Sequence, residues 1–171
     1  MVWYILLLNN MLQIKNKITL SLILLFSIFA IVTAYFIQYV LGHQPCNLCL
    51  IERIPYICSI IIISIYLFSQ QFEKVVLIIL SLIFFIATLL SFYHFGIEQG
   101  FISESLVCDL NSSSNELSKE ALLNQLKEVP ISCKDVTFKI FGLSLATFNI
   151  FISLILSAIT MKLFLAYEKN K

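Results

Sequence analysis

Residues 18–41 read ITLSLILLFSIFAIVTAYFIQYVL, 24 residues without an Asp, Glu, Lys, Arg or His. A helix over them is about 36 Å long at 1.5 Å per residue, enough to cross a hydrocarbon core of ~30 Å with some tilt. Gly42-His43-Gln44-Pro45 breaks the run, and three more stretches free of Asp, Glu, Lys and Arg follow at 54–72, 75–97 and 140–161. The expected fold is therefore all-α: one domain over residues 1–171, a bundle of four transmembrane helices with loops at 42–53 and 98–139.

Composition points the same way. Of 171 residues, 60% are hydrophobic and 12% charged, with a mean hydropathy of +0.95, against roughly 25% charged in an average soluble domain. A globule in water would be left with a largely apolar surface. The net charge of +1 offers no basic patch to neutralise nucleic-acid phosphates. Fifteen Phe and seven Tyr at so low a net charge exclude a disordered chain.

The segment 98–139 differs in kind, with seven acids, four lysines and the polar run Asn111–Asn115. Ser113 and Glu116 have capping-box spacing, and Leu122, Leu126 and Val129 recur at helical intervals. A short amphipathic helix on the membrane surface is one reading, and a solvated loop is the other. With four spans both termini share a side, which carries Lys15, Lys17, Lys74, Lys162, Lys169 and Lys171 against two acids; the loop side has five basic residues against eight acids. The positive-inside rule then puts the termini in the cytoplasm and both loops on the non-cytoplasmic side. Residues 1–14 are too few to span. They resemble a signal-peptide core without the preceding basic residues or a small-residue cleavage site; initiation at Met11 would account for them, and they are assigned no function.

Four of the five cysteines fall in the two loops: Cys46 and Cys49 in Pro45-Cys46-Asn47-Leu48-Cys49, and Cys108 and Cys133 in the long one. Cys58 lies inside the second span, where a free cysteine acts as a small hydrophobe. Outside the cytoplasm thiols tend to pair, and three readings of the four compete. As structural disulfides, a Cys108–Cys133 bond closing a loop of about 26 residues would stabilise by roughly 3.5 kcal/mol in the chain-entropy model, whereas a Cys46–Cys49 bond closes almost no loop. As a Cys₄ zinc site, the set lacks the second C-x₂-C half. As a redox centre, the C-x-x-C has the fitting spacing, and Leu50 in place of His excludes haem attachment.

The neighbours favour redox chemistry. Pro45 suits the entry to a helix, putting Cys46 and Cys49 in its first turn, where the unpaired N–H groups favour a thiolate. Arg53, the only arginine in the chain, follows Cys49 by one helical turn, a position for a guanidinium that lowers a thiol pKa. Its plainer role is interfacial anchoring, paired with Glu52. His94 precedes Glu98 by four residues at the outer end of the third span, placed to relay protons or simply to satisfy a carbonyl.

The run Gln44-Pro45-Cys46-Asn47-Leu48-Cys49-Leu50-Ile51-Glu52-Arg53, the four spans and the later cysteine pair together resemble the disulfide bond formation protein B (DsbB) family over residues 15–165. Tyr93-His94-Phe95-Gly96-Ile97-Glu98, and Cys133 followed by Phe141-Gly142-Leu143-Ser144, look like its DsbI-like subgroup. The resemblance implies a protein-disulfide oxidoreductase that reoxidises a periplasmic DsbA-like, thioredoxin-fold dithiol oxidase and passes the electrons to a membrane quinone, ubiquinone or menaquinone. Carried over by position, Cys108 takes the partner's thiolate with Cys133 as its mate, Cys46 exchanges with that pair, and Cys49 faces the quinone. Arg53 and His94 line the same pocket, and no resident metal is implied. Two rivals remain. A vitamin K epoxide reductase-like enzyme would carry its loop cysteines before the C-x-x-C, opposite to the order here. A non-catalytic four-span scaffold would hold both pairs as structural disulfides.

Overall fold

The computed structural model describes residues 2–103, 133–134, 139–140 and 142–169. Cys108 and the amphipathic pattern expected within 113–129 lie outside these residues. In chain order the elements are α1 (Val2–Tyr39), α2 (Asn47–Ile51), α3 (Ile54–Ser69), α4 (Glu73–Glu98), the short strands β1 (Lys139–Ile140) and β2 (Leu143–Ser144), and α5 (Leu145–Lys169). Four stretches are long and apolar enough to cross a membrane: Ile14–Tyr39, Asn47–Ser69, Glu73–Glu98 and Leu145–Lys169. The four-span membrane bundle is thereby established.

The helix limits differ from the expected ones, α1 reaching back to Val2 and the last helix on to Lys169, and two of the departures have a local reason. The second span starts earlier, at α2, and breaks at Glu52–Arg53 before α3. Pro55 stands in the first turn of α3; it has no N–H to donate back to Ile51, so the helix cannot run straight through. The fourth helix begins at Leu145 rather than 140. Residues 139–140 and 143–144 pair antiparallel, Lys139 opposite Ser144 and Ile140 opposite Leu143, and the chain reverses at Gly142, whose φ of +81° suits a residue without Cβ. Ser144 then caps α5, its Oγ accepting the Thr147 N–H at 3.2 Å.

Helices in lipid gain nothing hydrophobic from touching one another, so close packing depends on small residues and on hydrogen bonds between helices. The most extensive contact joins α4 and α5, along Ser81, Ala87 and Ser91 on one side and Ala146, Ser153, Ser157 and Thr160 on the other, all buried. Thr88 Oγ1 donates to Ser153 Oγ at 3.1 Å and Ser157 Oγ to the Ser81 carbonyl at 3.2 Å. On α1 and α3, Ser27 and Ser59 meet at 3.1 Å, beside Leu20, Ile23, Ile63 and Tyr66 in the central apolar cluster. By contrast α1 and α5 barely touch. Large apolar side chains such as Phe68, Phe92 and Phe151 point outward, as a lipid-facing surface requires. At the end carrying the α3–α4 turn, Asn16 Nδ2 donates to Glu73 Oε1 at 2.7 Å, Lys17 reaches Gln70 Oε1 at 2.7 Å, and Lys74 pairs with Glu168.

At the other end the chain folds back from α4 over the C-x-x-C segment. The Gly96 carbonyl accepts both the Phe101 and Ile102 N–H groups, and Ile102 packs against the cluster of Cys46, Leu48, Ile97 and Cys133. A Cβ on Gly96 would lie 2.7 Å from Ile102 Cδ1 and 3.1 Å from Cγ1, so Ile102, stiff at χ1, would have to move. Gly96→Ala is expected to cost about 1–3 kcal/mol by overpacking, read as a lower thermal unfolding midpoint in detergent. In an Ile102→Ala background the same change should cost almost nothing, because the obstructing methyls are gone.

Candidate functional site

Gly42, at φ +74°, turns the chain out of α1, and Pro45 leads it into α2. Cys46 is the N-cap of that helix, with extended backbone, and its Sγ accepts the Cys49 N–H at 3.3 Å. The two sulfurs are 2.7 Å apart and both are free thiols. Cys46 is 7% exposed and Cys49 half-buried. A hydrogen bond from the Cys49 thiol is the largest influence on Cys46. Burial opposes it, and the nearby His94 and the Cys49 backbone N–H add to it, so the Cys46 thiol sits well below the ordinary thiol range.

His94 reaches this pair from α4 and is 2% exposed. Its Nδ1 lies 2.8 Å from Glu52 Oε1 and its Nε2 3.5 Å from Cys46 Sγ. A carboxylate only accepts, so Nδ1 carries a proton and Nε2 is the atom turned to sulfur. Glu98 Oε1 stands 3.7 Å from the same Nε2. Glu52 Oε2 accepts Asn149 Nδ2 at 3.0 Å; that amide nitrogen also donates to Ser91 Oγ at 2.8 Å, and its Oδ1 accepts the Tyr56 hydroxyl at 2.5 Å. One buried polar network thus ties the α2–α3 junction to α3, α4 and α5.

Arg53 turns the other way. At the N-cap of α3, its Nη1 donates to Gln38 Oε1 at 2.7 Å and its guanidinium sits 5.0 Å from the centre of the Tyr35 ring, both partners on α1. Between α1 and α5 lies a cavity of about 330 Å³. Its walls are apolar, from Phe26, Phe29, Ala30 and Ile37 on α1 to Phe148 and Ile152 on α5. Cys46, Cys49, Arg53, His94, Glu98 and Cys133 lie together at its polar end. Cys133 is disulfide-bonded, 3% exposed, and packed in one cluster with Cys46.

Five of the six residues singled out from sequence therefore line one cavity; the sixth, Cys108, lies outside the described residues. The sequence reading paired His94 with Glu98 and left Glu52 as an anchor for Arg53, yet Glu52 is the closer carboxylate to His94. Asn149, Tyr56 and Gln38 were not anticipated. For Asn149 a signal existed, since it is the only Asn or Gln within Leu145–Lys169, and an amide inside a span normally has a partner.

Comparison with known proteins came to the same region. The family model described as disulfide bond formation protein DsbB matches residues 16–163. The chain is 30% identical over 161 residues to the uncharacterized protein RP370 of Rickettsia prowazekii (strain Madrid E), covering 91% of each chain. No solved structure matches it significantly.

The held thiolate has a measurable consequence. In reduced chain, iodoacetamide modification of Cys46, mapped by mass spectrometry, should change only a few-fold between pH 8 and pH 6. An ordinary thiol with pKa near 8.5 loses about tenfold in rate per pH unit below it. His94→Ala should bring back part of that steep dependence by removing one of the groups that favour the thiolate.

Proposed function

The chain belongs to the disulfide bond formation protein DsbB family, and from that footing we propose that it reoxidises a DsbA-like, thioredoxin-fold dithiol protein and delivers the electrons to a membrane quinone. Family membership makes it a multi-pass membrane oxidoreductase that forms disulfides. The observation that carries the finer reading is the single cavity on which the Cys46–Cys49 pair, the disulfide-bonded Cys133 and the Arg53 guanidinium converge.

The exchange steps balance through mixed disulfides. A thiolate of the partner attacks Cys108, and the partner's second thiol resolves the mixed bond, leaving the partner oxidised and the Cys108–Cys133 pair reduced. A thiolate of that pair then attacks a Cys46–Cys49 disulfide at Cys46 and closes its own bond again. Two electrons and two protons now reside on Cys46 and Cys49. Burial of Cys133 against Cys46 supports this second exchange.

A quinone suits the cavity. Its walls match an isoprenoid tail, its polar end offers Arg53 and His94 to ring oxygens, and its volume is at the lower end of ligand pockets. Bound there, a quinone supplies a two-electron, two-proton acceptor, which a partner disulfide as oxidising as about −120 mV requires. Cys49 is the sulfur that gives up the electron pair as the Cys46–Cys49 bond forms. His94, hydrogen-bonded to Glu52, takes the proton from the Cys46 side, and Arg53, fixed by Gln38 and Tyr35, sets positive charge where an oxyanion develops. The charge distribution supports an orientation with both termini in the cytoplasm and the cysteine loops in the periplasm of the bacterial inner membrane. Cysteine order speaks against the vitamin K epoxide reductase-like alternative.

Purified chain should couple oxidation of a reduced DsbA-type protein to stoichiometric loss of a short-chain quinone, followed by its ultraviolet absorbance. Cys49→Ala is expected to abolish the reaction; unimpaired turnover would leave the non-catalytic scaffold as the better account. Arg53→Ala should raise the apparent quinone KM at least several-fold with a smaller change in kcat, whereas a pure anchoring role would move neither.

A further inference from the structure

We infer that the reduced C-x-x-C pair, together with His94, is a binding site for one thiophilic divalent cation of the zinc type, and that this cation holds the centre in its dithiol state. Sγ of Cys46, Sγ of Cys49 and a ring nitrogen of His94 all lie within 4.8 Å of one another. Two sulfurs and an imidazole are a zinc donor set, and C-x₂-C is the usual half-site spacing.

The distances come close to what coordination demands. With Zn–S near 2.3 Å and Zn–N near 2.0–2.1 Å, the sulfur-to-nitrogen edge of a tetrahedron is about 3.5–3.6 Å, and Cys46 Sγ to His94 Nε2 is 3.5 Å. The sulfur-to-sulfur edge would be about 3.8 Å, so the pair, now 2.7 Å apart, must open by about 1 Å, a rotamer adjustment for the half-buried Cys49. His94 is already oriented as a ligand. Its Nδ1 is bound to Glu52 at 2.8 Å and Glu52 in turn to Asn149, the carboxylate–histidine arrangement that fixes a metal-binding imidazole.

A second, independent feature points at the same spot. The Glu98 side chain is 6% exposed and stands 3.7 Å from His94 Nε2, and its Oε2 is buried without a hydrogen-bond partner. A buried carboxylate oxygen with nothing to bind is costly, and positive charge brought to His94 would ease that cost, with Glu98 standing just outside the three-donor set. Charge favours capture as well, because a dication with two thiolates is neutral and cheaper to keep in an apolar cavity than the bare thiolates.

Binding releases whatever protons the two sulfurs and the His94 ligand nitrogen still hold, takes up one cation and moves no electrons. It occupies the sulfur electron pairs from which the Cys46–Cys49 bond is made, so the disulfide does not hold the ion and the metal-bound pair must release it before that bond can form. The consequence for turnover, reversible inhibition relieved by a chelator, rests on the oxidoreductase reading; the site itself does not.

The test uses full-length chain carrying Cys108→Ser and Cys133→Ser in detergent, reduced and freed of reductant, then titrated with Cd²⁺ while the ultraviolet sulfur-to-cadmium charge-transfer band is followed. One Cd²⁺ per chain is expected, displaced by Zn²⁺, absent after diamide oxidation, lost in Cys49→Ser and unchanged in Cys58→Ala. Glu52→Gln should weaken binding about 10- to 100-fold through His94. No stoichiometric band in the reduced chain, or a band surviving oxidation, would overturn the site without recourse to any variant. Binding in this variant together with no oxidase activity in the unsubstituted chain would retain the site and remove the oxidoreductase reading; activity of the unsubstituted chain without binding in the variant would do the reverse.

Discussion

Glu52 is the constraint on which the rest of the molecule turns. It is a carboxylate, 8% exposed, at the start of a segment long and apolar enough to span a membrane. Left alone, such a group would cost several kcal/mol. It is not left alone: one oxygen binds His94 on α4 and the other binds Asn149 on α5. Satisfying one acid therefore pins three parts of the chain together, and the same contact turns the far nitrogen of His94 onto Cys46. The stabilising network and the reactive geometry are a single set of hydrogen bonds.

Helix packing decides where that network opens. Serine, alanine and threonine let α4 and α5 lie close, and Ser27 with Ser59 does the same for α1 and α3. Among the described residues no small-residue seam or side-chain hydrogen bond joins α1 to α5 beside the cavity, which Phe26, Phe29 and Phe148 line. Rings of that size hold two helices apart, and the space between them is the cavity. Arg53 bridges its polar end to α1 through Gln38 and Tyr35, so the charge is braced without closing the gap.

Spans, loops and the C-x-x-C were legible because each rests on a local property: the spacing of charges, the position of prolines, the identity of neighbours. The four spans could be read from charge-free runs alone. What sequence could not supply were partners distant along the chain. His94 and Glu98 are one turn apart and invite pairing, whereas Glu52 is 42 residues from His94 and Asn149 is 97 from Glu52. Only the bundle decides which helices become neighbours. The start of α5 was misjudged for a related reason. Residues 140–144 are apolar enough to continue a span, but Gly142 and the capping hydroxyl of Ser144 favour a hairpin, and those preferences are invisible to a count of charges.

The two carboxylates around His94 also bear on how such a centre can cycle. In the reduced pair the Cys46 thiol is held below the ordinary thiol range beside the imidazole, which favours negative charge on its sulfur; once a Cys46–Cys49 bond forms, that charge is gone. A site whose electrostatics depended on the thiolate alone would be left with an uncompensated cation in an apolar surrounding in one of the two states. Glu52 holds His94 at 2.8 Å through the ring nitrogen turned away from sulfur, and Glu98 stands 3.7 Å from the other nitrogen. The buried Cys46–Cys49 pair thus sits against an acidic background fixed by hydrogen bonds from the α2–α3 junction to α4 and α5.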